Sequence, residues 1–279
     1  MKNIFLLIIA FICFSFAIEG QTYNMMTYNI RYDNQNDGDN QWSKRKEFLC
    51  DQIAFYSPDI LGIQEGLHHQ VKYIDSTFID YNYVGLGRDD GKKKGEYSAI
   101  FFNGNRLEIV KDSTFWLSKT PAKISIGWDA SMERICTYAL FQDKVTEQQF
   151  WVFNTHFDHI GHVARLESTK LILNKIKQLN EDNLPVILMG DLNLKPESEP
   201  IRQLSEELND SKTSCLSKPF GPVGTFNGFR LDQPVIDRID YIFTTKSNIK
   251  VNKYAVLSDS IGLKYPSDHL PVYVQIEFK

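Results

Sequence analysis

Cysteine is scarce in this chain, which has four cysteines among 279 residues. Only Cys50, Cys136 and Cys215 follow residue 20, and their spacing matches neither a disulfide framework nor a zinc-binding motif. An odd number leaves room for one disulfide at most, and buried free thiols are the expected state. The cysteine content therefore excludes a small domain held together by disulfides.

Long hydrophobic runs are also missing, except for one near the N-terminus from Ile4 to Phe16. One lysine precedes this run and small residues follow it, which is the order found in a signal peptide. The run is short for a membrane span, so an uncleaved anchor is the weaker alternative. We therefore predict that residues 1–20 are a signal peptide, cleaved after Ala17 or Gly20. The mature protein is expected in the periplasm or the medium, without stable membrane insertion.

An excess of positive charge is the third absence. Lysine and arginine number 31 against 35 acidic residues, which gives a formal net charge of -4 and a pI near 5.9. These totals give no sign of a strongly basic surface for gripping nucleic acid. Internal repeats and low-complexity linkers are missing too, so residues 21–279 are predicted to form a single domain, and we expect a monomer.

Aromatic residues are plentiful, with 19 phenylalanines and 13 tyrosines, and they favour packing rich in β-structure. Helical periodicity is limited mainly to Trp42–Phe55 and His162–Asn180. Short apolar strands dominate the rest of the chain. The pattern predicts an α/β protein of the α+β type, with two packed mixed β-sheets flanked by helices in a four-layer sandwich. The predicted strands are residues 25–30, "PDILGIQE", "EYSAIFFN", "ICTYALFQD", "QQFWVFNTHFDH", "LPVILMGDLN", "RIDYIFTT" and "HLPVYVQIEF".

Polar residues stand where many of these strands end. Each one alone is explained by a turn or a helix cap. Together they share one chemistry, because they are carboxylates, amides and imidazoles at the ends of strands that converge in a sandwich. They predict a cleft with oxygen ligands and two imidazoles. The residues are Asn29, Glu65, His156, Asp191, Asn193, Asp240, Asp268 and His269.

The motifs "TYNIR", "ILGIQE", "NTHFDH", "GDLN", "RIDYIF" and "SDH" occur in a characteristic order and spacing. With this set the chain resembles the endonuclease/exonuclease/phosphatase superfamily, which includes pancreatic-type deoxyribonucleases. The resemblance extends from about Tyr23 to Phe278. Each motif is short, but the ordered set of six is specific. One departure is Leu192, where many members carry phenylalanine, and its side chain is expected to point away from the phosphate.

The resemblance implies a role for each residue of the predicted cleft. Asn29, Glu65 and Asp268 would hold Mg²⁺, with Mn²⁺ as the alternative ion, because hard cations prefer such oxygen ligands. Asp191 would accept the proton of the attacking water. The resemblance also implies the remaining catalytic roles: Asn193 would hold a phosphate oxygen, Asp240 would orient His269 as a donor to the phosphoryl group, and His156 would be the second imidazole.

Residues outside this set carry weaker hypotheses. Arg134 and Arg165 are candidates for substrate binding, although surface arginines are common. His159 and His162 are expected to decorate a loop or the start of a helix. The stretch "GRDDGKKKGEY" reads as a solvated hairpin tip, with contact to a phosphate-rich ligand as the less favoured alternative.

The predicted function is an exported, Mg²⁺-dependent phosphoester hydrolase, in which water attacks in line with metal assistance. The substrate would be a phosphodiester or phosphomonoester, and a small or soluble one is favoured by the acidic balance of the chain. A nuclease acting on DNA or RNA is the alternative, followed by a sphingomyelinase-type lipid hydrolase. A catalytically inactive binding protein on the same fold would be a different class, but it should lack one of the strand-end residues.

Overall fold

The described part of the chain, residues 21–279 of a computed structural model, contains twelve strands and five α-helices. The predicted signal peptide, residues 1–20, lies outside it. The helices are α1 (Trp42–Tyr56), α2 (His68–Thr77), α3 (His162–Leu179), α4 (Glu199–Glu207) and α5 (Ser211–Ser214). The strands are β1 (Thr22–Asn29), β2 (Ile60–Gln64), β3 (Tyr81–Val84), β4 (Ile100–Asn103), β5 (Leu107–Trp116), β6 (Ile135–Asp143), β7 (Gln149–His156), β8 (Val186–Asp191), β9 (Asn209–Asp210), β10 (Asp240–Thr244), β11 (Ile249–Val256) and β12 (Val272–Phe278).

The strands form two six-stranded sheets. The first has the order β11-β12-β1-β2-β4-β3, and the second has the order β5-β6-β7-β8-β10-β9. Each sheet has one parallel pair near its centre, β1 with β2 and β7 with β8, while the other pairs are antiparallel. The prediction of two mixed sheets is confirmed.

The register of the central strands brings the predicted polar residues to one edge. Asn29 is the last residue of β1 and pairs with Gln64, the last residue of β2. Glu65 directly follows Gln64 and therefore lies at the same edge of the sheet. In the second sheet Asp191 pairs with both His156 and Asp240. Carboxyl ends of neighbouring parallel strands lie together, which makes this edge a natural place for a binding site.

Three apolar clusters fix the layers. The cluster between the sheets includes Met25, Ile60, Val152, Ile187 and Val274. Another lies between the second sheet and the helices α3 and α4, and a third lies between the first sheet and the helices α1 and α2. The neighbouring residues Met25 and Met26 of β1 enter different clusters, because successive side chains of a strand point to opposite faces. Helices therefore cover both outer faces, as the four-layer prediction requires.

Strands β3, β5, β9 and β11 are not predicted by the sequence pattern. Most side chains between Glu108 and Thr114 of β5 are exposed or half-buried, and a bulge shifts its register after Ile109, so its alternation is broken.

Cys50 and Cys136 are buried free thiols, as predicted, while Cys215 is free but only half-buried. Among the helices of residues 21–279, none has the length and apolar character needed to cross a membrane.

Candidate active site

The strand-end residues surround one cleft of about 540 Å³. Asn29 and Asp240 lie beneath its surface, buried and hydrogen-bonded to the lining residues. All eight residues of the predicted cleft are therefore brought together. Those that line it directly are Glu65, His156, Asp191, Asn193, Asp268 and His269.

Left-handed backbone conformations aim three of the cleft residues. Arg31, Glu65 and Asn193 have φ values of 55°, 64° and 48°, and each follows closely after the end of a strand. Residues other than glycine rarely adopt such values, because the Cβ atom then crowds the carbonyl oxygen. The strain is the kind that accumulates at functional sites, where it turns a side chain out of its strand.

Asp240 and His269 form a buried pair. The Nδ1–H of His269 donates to Oδ2 of Asp240 over 2.9 Å, and a carboxylate without a proton can only accept there. Burial opposes a charge on His269, but the negative charges of Asp240 and Asp191 outweigh it and raise the pKa of His269 well above its ordinary value. The raised pKa favours the imidazolium form of His269 at neutral pH. Its Nε2 lies 3.7 Å from Oδ2 of Asp191.

Asp191 lies at the centre of the cleft floor. Its Oδ2 accepts a hydrogen bond from Nδ2 of Asn29 over 2.9 Å, and its Oδ1 accepts one from the backbone N–H of Asn193 over 2.9 Å. Burial, followed by the nearby charge of Asp240, raises the pKa of Asp191 to about 7. A carboxylate with such a pKa can take up a proton at neutral pH, as a general base must.

The second imidazole, His156, has the opposite electrostatic setting. Burial and the positive charges of Arg134 and Arg88 lower the pKa of His156 well below the ordinary value, which favours the neutral ring. Its Nε2 accepts from Nδ2 of Asn193 over 3.1 Å. Within residues 21–279 its buried Nδ1 has no hydrogen-bond partner, and the nearest carboxylate oxygen recorded is Oε2 of Glu96 at 3.8 Å.

Glu65 and Asp268 fit a divalent cation. Both carboxylates face the cleft, and burial together with the charge of Glu65 raises the pKa of Asp268. Two carboxylates that repel each other across a polar cleft suit a hard cation such as Mg²⁺. Glu65 is fixed by Nδ2 of Asn29 (3.0 Å) and by the backbone N–H of Tyr32 (3.1 Å).

Asn29 is oriented differently from an oxygen ligand. Its Nδ2 donates to both Glu65 and Asp191, and its Oδ1 accepts the backbone N–H of Arg31 over 3.0 Å. Two acceptor-only carboxylates dictate this orientation of the amide. Asn29 therefore joins the two sheets across the cleft floor, and its role as a metal ligand stays a prediction.

A second group of possible metal ligands is formed by Asp191, Asp240 and His269, whose ligand atoms all lie within 4.8 Å of one another. In this group Nδ1 of His269 is already hydrogen-bonded to Asp240. The residues therefore offer donor atoms for a metal as well as a hydrogen-bonded pair for proton transfer.

The structure separates the two arginine candidates. Arg134 lines the cleft, is buried, and places Nη2 3.1 Å from Nδ1 of His159. Arg165 does not line it, because its Nη1 donates to the backbone oxygen of Asp158 and its Nη2 to Nδ1 of His162. The geometry thus gives Arg165 a structural contact and no cleft position.

Several residues of the cleft were not singled out by the sequence pattern. Arg88 and Glu96 form a bidentate pair with distances of 2.7 and 2.8 Å, at the two ends of the predicted hairpin tip. Lysines 92–94 lie between them and are exposed. The prediction of a solvated hairpin tip therefore applies to these lysines and not to Arg88 and Glu96. His159 lies on the loop before α3, as expected, and it also lines the cleft, a position that was not predicted. Phe226 is another lining residue, and it has no motif around it that would have revealed it.

Residues 26–269 match the sequence model of the Endonuclease/Exonuclease/phosphatase family. The chain belongs to this family. Members of the family are hydrolases that act on phosphoesters and generally depend on a divalent metal, so the protein is a phosphoester hydrolase. The predicted resemblance is confirmed.

Two solved structures agree with this assignment, and a curated relative is similar in sequence. The chain is 37% identical to an endonuclease/exonuclease/phosphatase family protein from Bacteroides thetaiotaomicron, with a TM-score of 0.89 and coverage of 94% of this chain and 99% of that one. A mannosyl-6-phosphatase from the same organism is 39% identical, with a TM-score of 0.87 and coverage of 92% and 100%. The uncharacterized protein L388 of Acanthamoeba polyphaga mimivirus is 30% identical over 260 residues, which are 85% of this chain and 92% of that protein.

Proposed function

We propose that residues 21–279 form an exported, monomeric, Mg²⁺-dependent enzyme that hydrolyses a phosphoester of a small, soluble sugar. The observation that carries the proposal is the pairing of Asp191 with the imidazolium of His269 in a cleft of about 540 Å³, a size that suits a small ligand. Support for a sugar phosphate comes from the 39% identity to a mannosyl-6-phosphatase over nearly the whole chain. The net charge of -4 favours this class over a nucleic acid.

In the proposed reaction Asp191 takes the proton of the attacking water. Its pKa near 7 makes it basic enough for this step while it remains ionised in part at neutral pH. The negative charge that Asp240 and Asp191 place around His269 keeps that ring protonated, so its Nε2–H can donate to a phosphoryl oxygen. Charge that develops on the phosphoryl group is thereby met by a donor already in position.

Asn193 and Arg134 complete the binding of the phosphoryl group. Nδ2 of Asn193 donates to Nε2 of His156 and to the backbone oxygen of Phe157, so it would exchange the bond to His156 for one to a phosphoryl oxygen. The guanidinium of Arg134, with Nε 3.4 Å from Oδ2 of Asp158, adds a buried positive charge to the cleft. A cation held by Glu65 and Asp268, with Asn29 as the third residue of the set, would act as a Lewis acid on the phosphate.

A hydrolysis panel tests this proposal. Purified residues 21–279 are given mannose 6-phosphate, bis-p-nitrophenyl phosphate, plasmid DNA, RNA and sphingomyelin, each with Mg²⁺ and with EDTA. We expect the highest kcat/KM on the sugar phosphate, loss of activity in EDTA, and loss of activity in the matched variant Asp191→Asn. Faster cleavage of DNA or RNA would replace the proposal with a nuclease.

The intact mass of protein recovered from the periplasm or the medium tests export, with an expected N-terminus between Ile18 and Gln21.

A further inference from the structure

Phe226 is an exposed aromatic ring at the mouth of a cleft that is otherwise largely polar. It keeps 41% of its surface exposed while it lines the cleft beside His269. The two rings meet edge to face, with centroids 5.1 Å apart. An apolar ring left in water beside a catalytic imidazole provides a contact surface for a substrate.

The backbone around Phe226 holds the ring in a fixed position. The N–H of Phe226 donates to the oxygen of Asp237 over 3.0 Å, and the N–H of Asn227 donates to the oxygen of Asp268 over 2.8 Å. Leu270, next to His269, donates to the oxygen of Thr225 over 2.7 Å. These bonds join the segment to the catalytic residues on one side and to Asp237 on the other, so the ring is preorganised for binding.

A second cavity of about 300 Å³ adjoins the cleft, and Phe226 lines both. The second cavity is also lined by Arg230, Gln233, Ile236 and Asp237. Guanidinium, amide and carboxylate groups together can donate to and accept from hydroxyl groups, and the apolar residues can contact a ring face. Phe226 is the lining residue that the cleft and this cavity share.

We infer that Phe226 determines specificity by stacking against the sugar ring that carries the phosphate, and that the second cavity binds the next sugar of the chain. The substrate class is then a phosphorylated oligosaccharide, and this inference rests on the proposed function. The second cavity has no clear excess of positive charge, because the carboxylate of Asp237 lines it. Asp237 is paired with Lys195 over 2.6 Å. A nucleic acid is therefore disfavoured as the ligand of this cavity.

Steady-state kinetics on three phosphomonoesters test the inference. The substrates are glycerol 1-phosphate, which has no ring, mannose 6-phosphate, and mannobiose phosphorylated at one 6-position. We expect the wild type to show a KM for the disaccharide about 10-fold below that for the monosaccharide. Phe226→Leu should raise KM for both sugars by about 3- to 10-fold, the scale of one aromatic contact, with a smaller effect on kcat and on glycerol 1-phosphate. Phe226→Trp should keep KM for both sugars near the wild-type value, because tryptophan retains an aromatic ring at this position.

Two further variants separate stacking from damage to the fold. Gln233→Ala should raise KM more for the disaccharide than for the monosaccharide. The matched control is Phe220→Leu, because Phe220 is 78% exposed in the same connecting segment and lines neither cavity. This control should leave the KM for both sugars at the wild-type value.

The outcomes distinguish the inference from the proposed function. Wild-type protein that hydrolyses none of the three esters would overturn both. Equal KM values for the monosaccharide and the disaccharide, or equal losses from Phe226→Leu on all three esters, would overturn the inference and leave the proposed function standing. If Phe226→Leu impaired hydrolysis of a single-stranded oligonucleotide more than that of the sugars, the ring would be a platform for bases and the inference would be wrong.

Discussion

The buried pair of Asp240 and His269 allows a sharp test of the catalytic assignment. Asp240→Asn keeps the shape of the side chain and an oxygen acceptor for Nδ1–H, but it removes the charge that holds His269 protonated. Loss of a donor of this kind costs about 10²-fold in kcat/KM, and loss of the ring in His269→Ala about 10³-fold. If the pair acts as one unit, the double variant should also lose only about 10³-fold.

Independent residues would instead lose about 10⁵-fold in the double variant, since their effects would multiply. The gap of two decades is far larger than the error of a kcat/KM measurement. The assay is a double-mutant cycle on the best ester of the panel, with thermal denaturation of each variant to exclude unfolding. A loss of about 10⁵-fold in a folded double variant would refute the paired assignment.

The pH profile of the same variants gives a second readout. The rate should rise as pH increases through about 7, because Asp191 must lose its proton before it can act as a base. The charge of Asp240 raises the pKa of Asp191, whereas the charge of His269 lowers it. The acid limb should therefore move to higher pH in His269→Ala. In Asp240→Asn the loss of the negative charge and the weaker protonation of His269 act in opposite directions on the pKa of Asp191, so the shift should be smaller. An acid limb that moves to lower pH in His269→Ala would contradict the proposed charges.

Three further predictions concern the metal, the cleft wall and the core. Excess Mg²⁺ should partly rescue Glu65→Gln but not Asp191→Asn, since only the first loses a metal ligand; identical Mg²⁺ titrations would count against this division. Arg134→Met should raise KM by at least about 10-fold. Arg165→Met should lower the melting temperature and leave KM unchanged. A raised KM in Arg165→Met with an unchanged KM in Arg134→Met would show that Arg165 is the residue that binds substrate. Asn154→Leu should lower the free energy of unfolding by about 3 kcal/mol in denaturant titration. The reason is that the amide of Asn154, on the second sheet, donates to two backbone oxygens on the side of the first sheet. A loss below about 1 kcal/mol would show that water replaces the amide as the donor.

Local sequence determined most of the secondary structure and the family. The helix predicted over residues 162–180 is observed as α3, which ends one residue earlier, and "ICTYALFQD" coincides with β6. The periodicity of α3 reflects the burial of one face against the second sheet, whereas β6 is a short apolar run that is buried on both faces. The polar residues at strand ends and the ordered motifs were also sufficient to locate the cleft, since the ends of central strands meet at one edge of a sandwich.

Contacts between distant residues were decided only by the tertiary structure. Arg88, Glu96 and Phe226 enter the cleft on loops, where neither hydrophobic periodicity nor a motif marks them, and His159 enters it at the end of the motif "NTHFDH". Arg165 has the spacing of a cleft residue, yet the chain folds it against the loop at Asp158. Periodicity reports only whether a residue faces a core, whereas the partner of a polar side chain depends on strand register and on turns with positive φ. Sequence therefore identified the strand ends, and the packing of the two sheets determined which side chains meet there.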